Sequence, residues 1–143
     1  MKLKMIKLNE EAKVPTQGSQ YAAGYDLYAA EGVVIKPSET ALIGTGIAIA
    51  IPEGYFGGIY ARSGLSIKQG LRPANCVGVI DSDYRGEVIV ALHNDSASEK
   101  EVNIGDRIAQ IIIQPFQSIE FEELSELDDT TRGKGGFGST GTN

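Results

Sequence analysis

Residues 78–87 read GVIDSDYRGE: two acids, a tyrosine and an arginine closed by a glycine. Val77 and Val79 lead in and Val88, Ile89 and Val90 lead out. Apolar runs on either side of a turn-forming cluster predict a β-hairpin with a polar tip. A short Asn-Gly or Asp-Gly turn is enough to join two strands, so Asp81, Asp83, Tyr84 and Arg85 exceed what connection requires. Three readings are open here. One is a solvated turn, because Asp hydrogen-bonds its own backbone readily. Another is a calcium loop, since Asp81, Asp83 and Gly86 take the first, third and sixth positions of the EF-hand pattern. That reading fails, because Arg85 and Leu92 stand where ligand oxygens belong and the flanks are strand-like. The last is catalysis, with one acid as general base, an aromatic ring to pack a planar or sugar-like group and an arginine for an anion.

Working outward, strand-like runs recur along the chain. Met1 to Leu8 forms one with Lys2, Lys4 and Lys7 outside, and a polar loop follows from Asn9 to Tyr21. AAGYDLYAA, residues 22–30, is a short strand carrying Asp26 among small and aromatic neighbours. Further runs lie at Val33–Ile35, Ala41–Ile43, Ile47–Ile51, Tyr55–Ala61, Val88–Leu92, Glu101–Ile104 and Ile108–Phe116, separated by Pro, Gly, Asp and Ser turn signals. Many short strands at even spacing predict an all-β barrel or sandwich. One short helix is expected in ARSGLSIKQGL, capped by Ser63 and stopped at Gly70. Its start would leave the N–H groups of Gly64 and Leu65 open beside Arg62, an arrangement suited to an anion.

A chain of 143 residues at 41% hydrophobic composition suits one domain with a real core. We expect a β-domain over residues 1–125 and a mobile tail over 126–143. The net charge of −6 argues against a nucleic-acid or anionic-membrane partner, both of which call for a basic face. Cys76 and His93 are the only residues of their kinds, which leaves no disulfide framework and no zinc cluster, and no metal-ligating residue is assigned. No signal-like or membrane-spanning run is apparent, and a soluble, cytoplasmic protein is expected. After Phe116 an acidic connector gives way to RGKGGFGSTG, residues 132–141. Gly133, Gly135 and Gly138 match a dinucleotide-loop spacing, but no strand precedes them and no helix has room to follow. A Walker loop fails as well, with Asp128 and Gly135 where its first glycine and its hydroxyl belong. Arg132, Phe137, Ser139 and Thr140 set among glycines instead suit a lid over a phosphorylated, ring-bearing ligand.

Taken together, AAGYDLYAA, ARSGLS, GVIDSDYRGE, GDRIAQ (residues 105–110) and RGKGGFGSTG resemble the five ordered motifs of the trimeric deoxyuridine triphosphatases. They span the chain from Ala22 to Gly141 in the family's order. The resemblance implies a distorted, jelly-roll-like β-barrel and a homotrimer with shared active sites. It also implies Mg²⁺-assisted hydrolysis of dUTP to dUMP and pyrophosphate, which limits uracil incorporation into DNA and supplies dUMP for dTMP synthesis. Under it, Asp81 activates the attacking water and Tyr84 packs under the deoxyribose. Gly78, Val79 and Ile80, with Asn75, form a hairpin slot for uracil. Arg62, Ser63 and Gly64 hold phosphate, and Gln110 adds a phosphate or water contact. Arg132, Phe137, Gly138, Ser139 and Thr140 close over the nucleotide. Mg²⁺ is expected to ride on the triphosphate, with Asp26 acting through water or orienting an arginine. The sister dCTP deaminases typically carry a second serine where Gly64 stands and lack this tail. A non-catalytic nucleotide sensor would have no need of Asp81 and the tail together.

Overall fold

The structure, a computed structural model, describes residues 1–139 and 141. Its strands are β1 (Lys4–Lys7), β2 (Thr16–Gln17), β3 (Tyr25–Tyr28), β4 (Val33–Ile35), β5 (Thr40–Gly44), β6 (Ile47–Ala50) and β7 (Tyr55–Tyr60). After the helix α1 (Ser63–Gln69) come β8 (Leu71–Pro73), β9 (Gly78–Ile80), β10 (Ile89–Asn94), β11 (Lys100–Val102) and β12 (Arg107–Pro115). The all-β expectation with one short helix holds among the described residues. The pairings form four small sheets rather than one closed ladder: β1-β6, β5-β10-β8, β11-β4 and the five-stranded β2-β3-β12-β7-β9.

All four sheets feed one core. Leu27, Ile43, Ile47, Leu92 and Ala109 are fully sealed from solvent, and Ile35, Leu71, Val90, Val102 and Ile108 pack with them. Each buried Leu or Ile contributes about 1.5–3 kcal/mol. Strand β10 has the two-residue period that makes this possible: Val90, Leu92 and Asn94 point inward while Ile89 is exposed.

Two local expectations are corrected. The run from Val77 to Val90 is not a hairpin, because β9 pairs only with β7 whereas β10 pairs with β5 and β8. Alternation fixes which face a strand buries and leaves its partner to longer-range packing. The helix begins one residue earlier than expected: Arg62, not Ser63, is the N-cap, in extended conformation with φ −87°, and no side chain caps it. Gly70 ends the helix as expected, at φ 70°, with its N–H turned back to Leu65 and Ser66.

Two polar side chains among the described residues are fully buried, Thr45 and Asn94. Asn94 donates to the carbonyls of Ile35 and Ser98 at 2.9 Å each and accepts from the Ser96 backbone and hydroxyl at 2.9 and 2.7 Å. It therefore ties the β10–β11 loop to β4. We expect Asn94→Ala to lose about 3 kcal/mol in urea unfolding, since it strands buried acceptors. A loss under about 1 kcal/mol would show that water replaces the amide.

Candidate active site

Residues 81–88 cross between two sheets, and both ends of the crossing are fixed. At the start, Asp81 continues from β9, and its carbonyl accepts the Tyr84 N–H at 3.2 Å. At the end, Glu87 Oε1 accepts the Gly46 N–H at 2.8 Å. The Val88 carbonyl there accepts the Thr45 hydroxyl at 2.6 Å, and the Val88 N–H reaches Ile47 at 2.8 Å. Glu31 adds a second carboxylate, accepting the Gly44 N–H at 2.7 Å. Glu31 and Thr45 had no motif to mark them and Glu87, the last residue of GVIDSDYRGE, was not singled out, because a carboxylate or hydroxyl bound to a neighbouring backbone group looks like any polar residue in sequence.

Within this crossing the Asp81 carboxylate is exposed and takes no hydrogen bond among the described residues. Arg85 folds back, donating to the carbonyls of Ser82 at 2.7 Å and Tyr84 at 2.9 Å, and so stabilises the turn instead of serving an anion. Tyr84 donates its hydroxyl to the Glu87 carbonyl at 2.9 Å. With Asp81, Val79 and Ile80, its ring lines a cavity of about 200 Å³. The neighbouring β9 is the edge of its sheet, so the side turned away from β7 leaves backbone N–H and C=O groups unpaired by any described strand. The Asn75 amide lies over Gly78, where a Cβ would stand 2.9 Å from its nitrogen. Nearby Cys76 is exposed, hydrogen-bonded to Pro73 and Arg72.

A second cluster assembles around Asp26. In β3, Asp26 stands opposite Gln110 of β12, and Gln110 stands opposite Tyr60 of β7. The Gln110 amide donates to the Ala61 carbonyl at 2.9 Å, which holds the strand leading to Arg62. Arg62 Nε donates to Asp26 Oδ1 at 2.8 Å and its Nη1 to the Arg107 carbonyl at 3.3 Å. Arg107 Nη1 reaches Asp26 Oδ2 at 3.4 Å. The Asp26 side chain is only 13% exposed, so each of its oxygens faces a guanidinium in a partly shielded setting. Of the two expectations for Asp26, the orientation of an arginine is the one this geometry matches.

Arg107 was not singled out from the sequence. A bulge in β12 explains its position: Ala109 is opposite Leu27, yet Arg107 is opposite Tyr28, leaving Ile108 as the extra residue. Ile108 and Ala109 are consequently both buried, and Arg107 is returned to the face that carries Asp26. The break in alternation at Ile108-Ala109 was the available signal, hidden within a longer apolar run. Ser63 and Gly64, at the start of α1, are exposed beside this cluster.

The two clusters do not meet within one chain. Ile80 is opposite Gly57 and Gly78 opposite Ile59, so Asp81 lies level with Phe56, six residues before Arg62 along an extended strand. At about 3.3 Å per residue this puts them roughly 20 Å apart. The tail joins neither: among the described residues, segment 117–141 hydrogen-bonds only with itself, as in Arg132 Nε to the Gly135 carbonyl at 2.9 Å. Phe137 is fully exposed, Gly138 and Ser139 lie in the final turns, and Thr140 is outside the described residues. A cavity of about 420 Å³ lies between Met5, Tyr25, Ile49 and Ile113 and is lined by no carboxylate, guanidinium or imidazole. We therefore give it no part in the chemistry.

Known proteins resemble this chain in sequence and fold. A family profile described as dUTPase matches residues 10–141. The deoxyuridine 5'-triphosphate nucleotidohydrolase of Nautilia profundicola is 52% identical over 141 residues, covering 99% of each chain. A solved structure of a mutant dUTPase from Staphylococcus bacteriophage 80alpha, with dUpNHpp, superposes with a TM-score of 0.92 at 31% identity, covering 99% of each chain. A mutant dUTPase from phage phi11 of S. aureus, described with a structural Mg(II) ion, gives a TM-score of 0.83 at 30% identity, covering 90% of this chain and 100% of that one. The chain belongs to the dUTPase family.

The shielding of Asp26 has a measurable consequence. Asp95 also binds an arginine, Arg72, at 2.6 Å, but that pair is 45% and 36% exposed. We expect Asp26→Ala to lose about 2 kcal/mol in urea unfolding, because it leaves the partly shielded Arg62 guanidinium without its counter-charge. Asp95→Ala is expected to lose less than about 1 kcal/mol. Equal losses would mean that the Asp26 cluster is as solvated as a surface pair.

Proposed function

We propose that this chain hydrolyses dUTP to dUMP and pyrophosphate, with the Asp81 carboxylate taking a proton from the attacking water. The observation that carries the reading is the loop around the 200 Å³ cavity: an unpartnered carboxylate, a tyrosine ring and a free strand edge share one rigid frame. A new bond forms between the water oxygen and phosphorus, the bond between the α- and β-phosphates breaks, and pyrophosphate leaves. Asp81 is a weak base, so orientation of the water supplies much of the rate.

Uracil is read by the unpaired N–H and C=O groups of Gly78, Val79 and Ile80, with Asn75 over Gly78 closing the end of the slot. Tyr84 packs under the deoxyribose and excludes a 2′-hydroxyl. Arg62, with the open N–H groups of Ser63 and Gly64, holds the phosphates, and Gln110 contacts phosphate or water. Arg132, Phe137, Gly138, Ser139 and Thr140 close over the nucleotide, the ring on uracil and the cationic and hydroxyl groups on the terminal phosphate. Closure excludes water and strengthens each contact. Residues 1–125 form the folded domain and 126–143 the mobile closing segment.

Mg²⁺ supplies charge neutralisation at the phosphate oxygens when bound. Both Asp26 oxygens face arginines, so this carboxylate fits contact through water better than direct ligation. The ion would arrive on the triphosphate, in keeping with the way Mg²⁺ is usually bound through substrate phosphates. The roughly 20 Å between Asp81 and Arg62 supports a site in which one copy's acid works against another copy's phosphate grip, and the family resemblance makes that assembly a homotrimer. No helix among the described residues is long and apolar enough to cross a membrane. A cytoplasmic enzyme is the setting we assign, in which it limits uracil in DNA and supplies dUMP for dTMP synthesis.

Purified protein is expected to release pyrophosphate from dUTP in preference to dCTP, dTTP and UTP, and to slow in excess EDTA. Asp81→Asn should keep nucleotide affinity within about threefold while turnover falls by roughly 10²-fold or more. Deaminated product from dCTP, or near-normal turnover by Asp81→Asn, would contradict the assignment.

A further inference from the structure

Between Tyr84 and Glu87 stands a glycine whose backbone does not require one. Gly86 is absent from the positions of positive φ, so an L side chain is sterically permitted by its backbone. What excludes a side chain is the Tyr84 ring. A Cβ at residue 86 would lie 2.6 Å from Cζ and 3.0 Å from Cε2 of that ring and would overlap its hydroxyl, where carbon contacts favour about 3.5–4.0 Å. The phenol therefore lies back on the bare Gly86 backbone with its hydroxyl on the Glu87 carbonyl. Glu87 is in turn fixed to Gly46. The ring is still 43% exposed and has no other hydrogen bond among the described residues, so these two supports set its position.

We propose that Gly86 is a positioning residue for sugar selection: its missing side chain is what allows the Tyr84 ring to lie where it blocks a 2′-hydroxyl. The inference deepens the proposed function and rests on Tyr84 facing the sugar. A methyl group at 86 displaces the free end of one side chain rather than the backbone, so the ring moves while the crossing stays anchored through Glu87 and Val88. The wall is then lost without loss of the fold.

The test is the ratio of kcat/KM for dUTP to that for UTP in the wild type, Gly86→Ala, Tyr84→Ala and the double variant. A pocket wall acting against one added hydroxyl discriminates by about 10²-fold, and a displaced ring is expected to lower the ratio by roughly tenfold. Because Gly86 acts through the ring, the double variant should show the same ratio as Tyr84→Ala alone, a non-additive cycle. An unchanged ratio in Gly86→Ala, with a lowered one in Tyr84→Ala, would overturn the role of Gly86 and leave that of Tyr84 standing. An unchanged ratio in Tyr84→Ala would overturn both. Should Gly86→Ala fail to fold by circular dichroism, the double variant is expected to fold, since the clashing ring is gone; a double variant that stays unfolded would overturn the proposal.

Discussion

The antiparallel register of β12 between β3 and β7 is the constraint on which the rest depends. One row across that sheet holds Thr16, Asp26, Gln110 and Tyr60, each opposite the next. Four distant stretches of chain are thereby brought level. A slip of one residue would turn Gln110 into the core and Ile111 out of it, so the buried Leu27, Ile59, Ala109 and Ile111 hold the register firmly. The bulge at Ile108 then makes one local exception, and it is the exception that sets Arg107 against Asp26. The chemical cluster is a by-product of how the core is packed.

An acidic chain that handles a triphosphate faces an electrostatic difficulty, and the structure confines the answer to a few places. The positive charge near Asp26 comes from Arg62 and Arg107, with one carboxylate between them, so the trio keeps a net positive charge. The acid at Asp81 sits far along the same sheet from its own chain's Arg62. Screening in physiological salt acts over about 8 Å, so the roughly 20 Å between them makes the two clusters electrically independent. Presentation of the acid is rigid, because the crossing is tied at Glu87, Thr45 and Val88, whereas the Gly-rich tail hydrogen-bonds only with itself among the described residues. A fixed acid and a loosely held segment are the combination that the proposed closure calls for.

Much of this was legible in the sequence, and what was missed has a common cause. Strand runs such as Val33–Ile35 and Tyr55–Tyr60 follow directly from apolar period and β-branched composition, and Gly70 marked the helix end through its need for a left-handed backbone. The proposed site residues Asp81, Tyr84 and Arg62 stood out because each stands in a short polar cluster that structure alone does not demand. Pairing was not legible: the β9 and β10 runs are strand-like neighbours in sequence yet join different sheets, since partner choice is decided by residues far away. Nor were Glu31, Glu87 and Thr45, whose work is hydrogen bonding to a backbone that only the fold brings near. Arg107 was hidden by the bulge, which the apolar run over Ile108–Phe116 concealed.

The central claim is that Asp81 of one copy works against Arg62 of another, and it is tested by complementation. Asp81→Asn and Arg62→Ala proteins, each prepared alone, are unfolded together, refolded as a mixture and assayed for pyrophosphate release from dUTP. If sites are shared, random mixing assembles some that hold both native residues, and activity recovers to about one quarter of the wild-type level. Activity no greater than the sum of the two variants refolded separately, with mixed oligomers demonstrated by mass, would place the acid and the phosphate grip in the same chain and contradict the account.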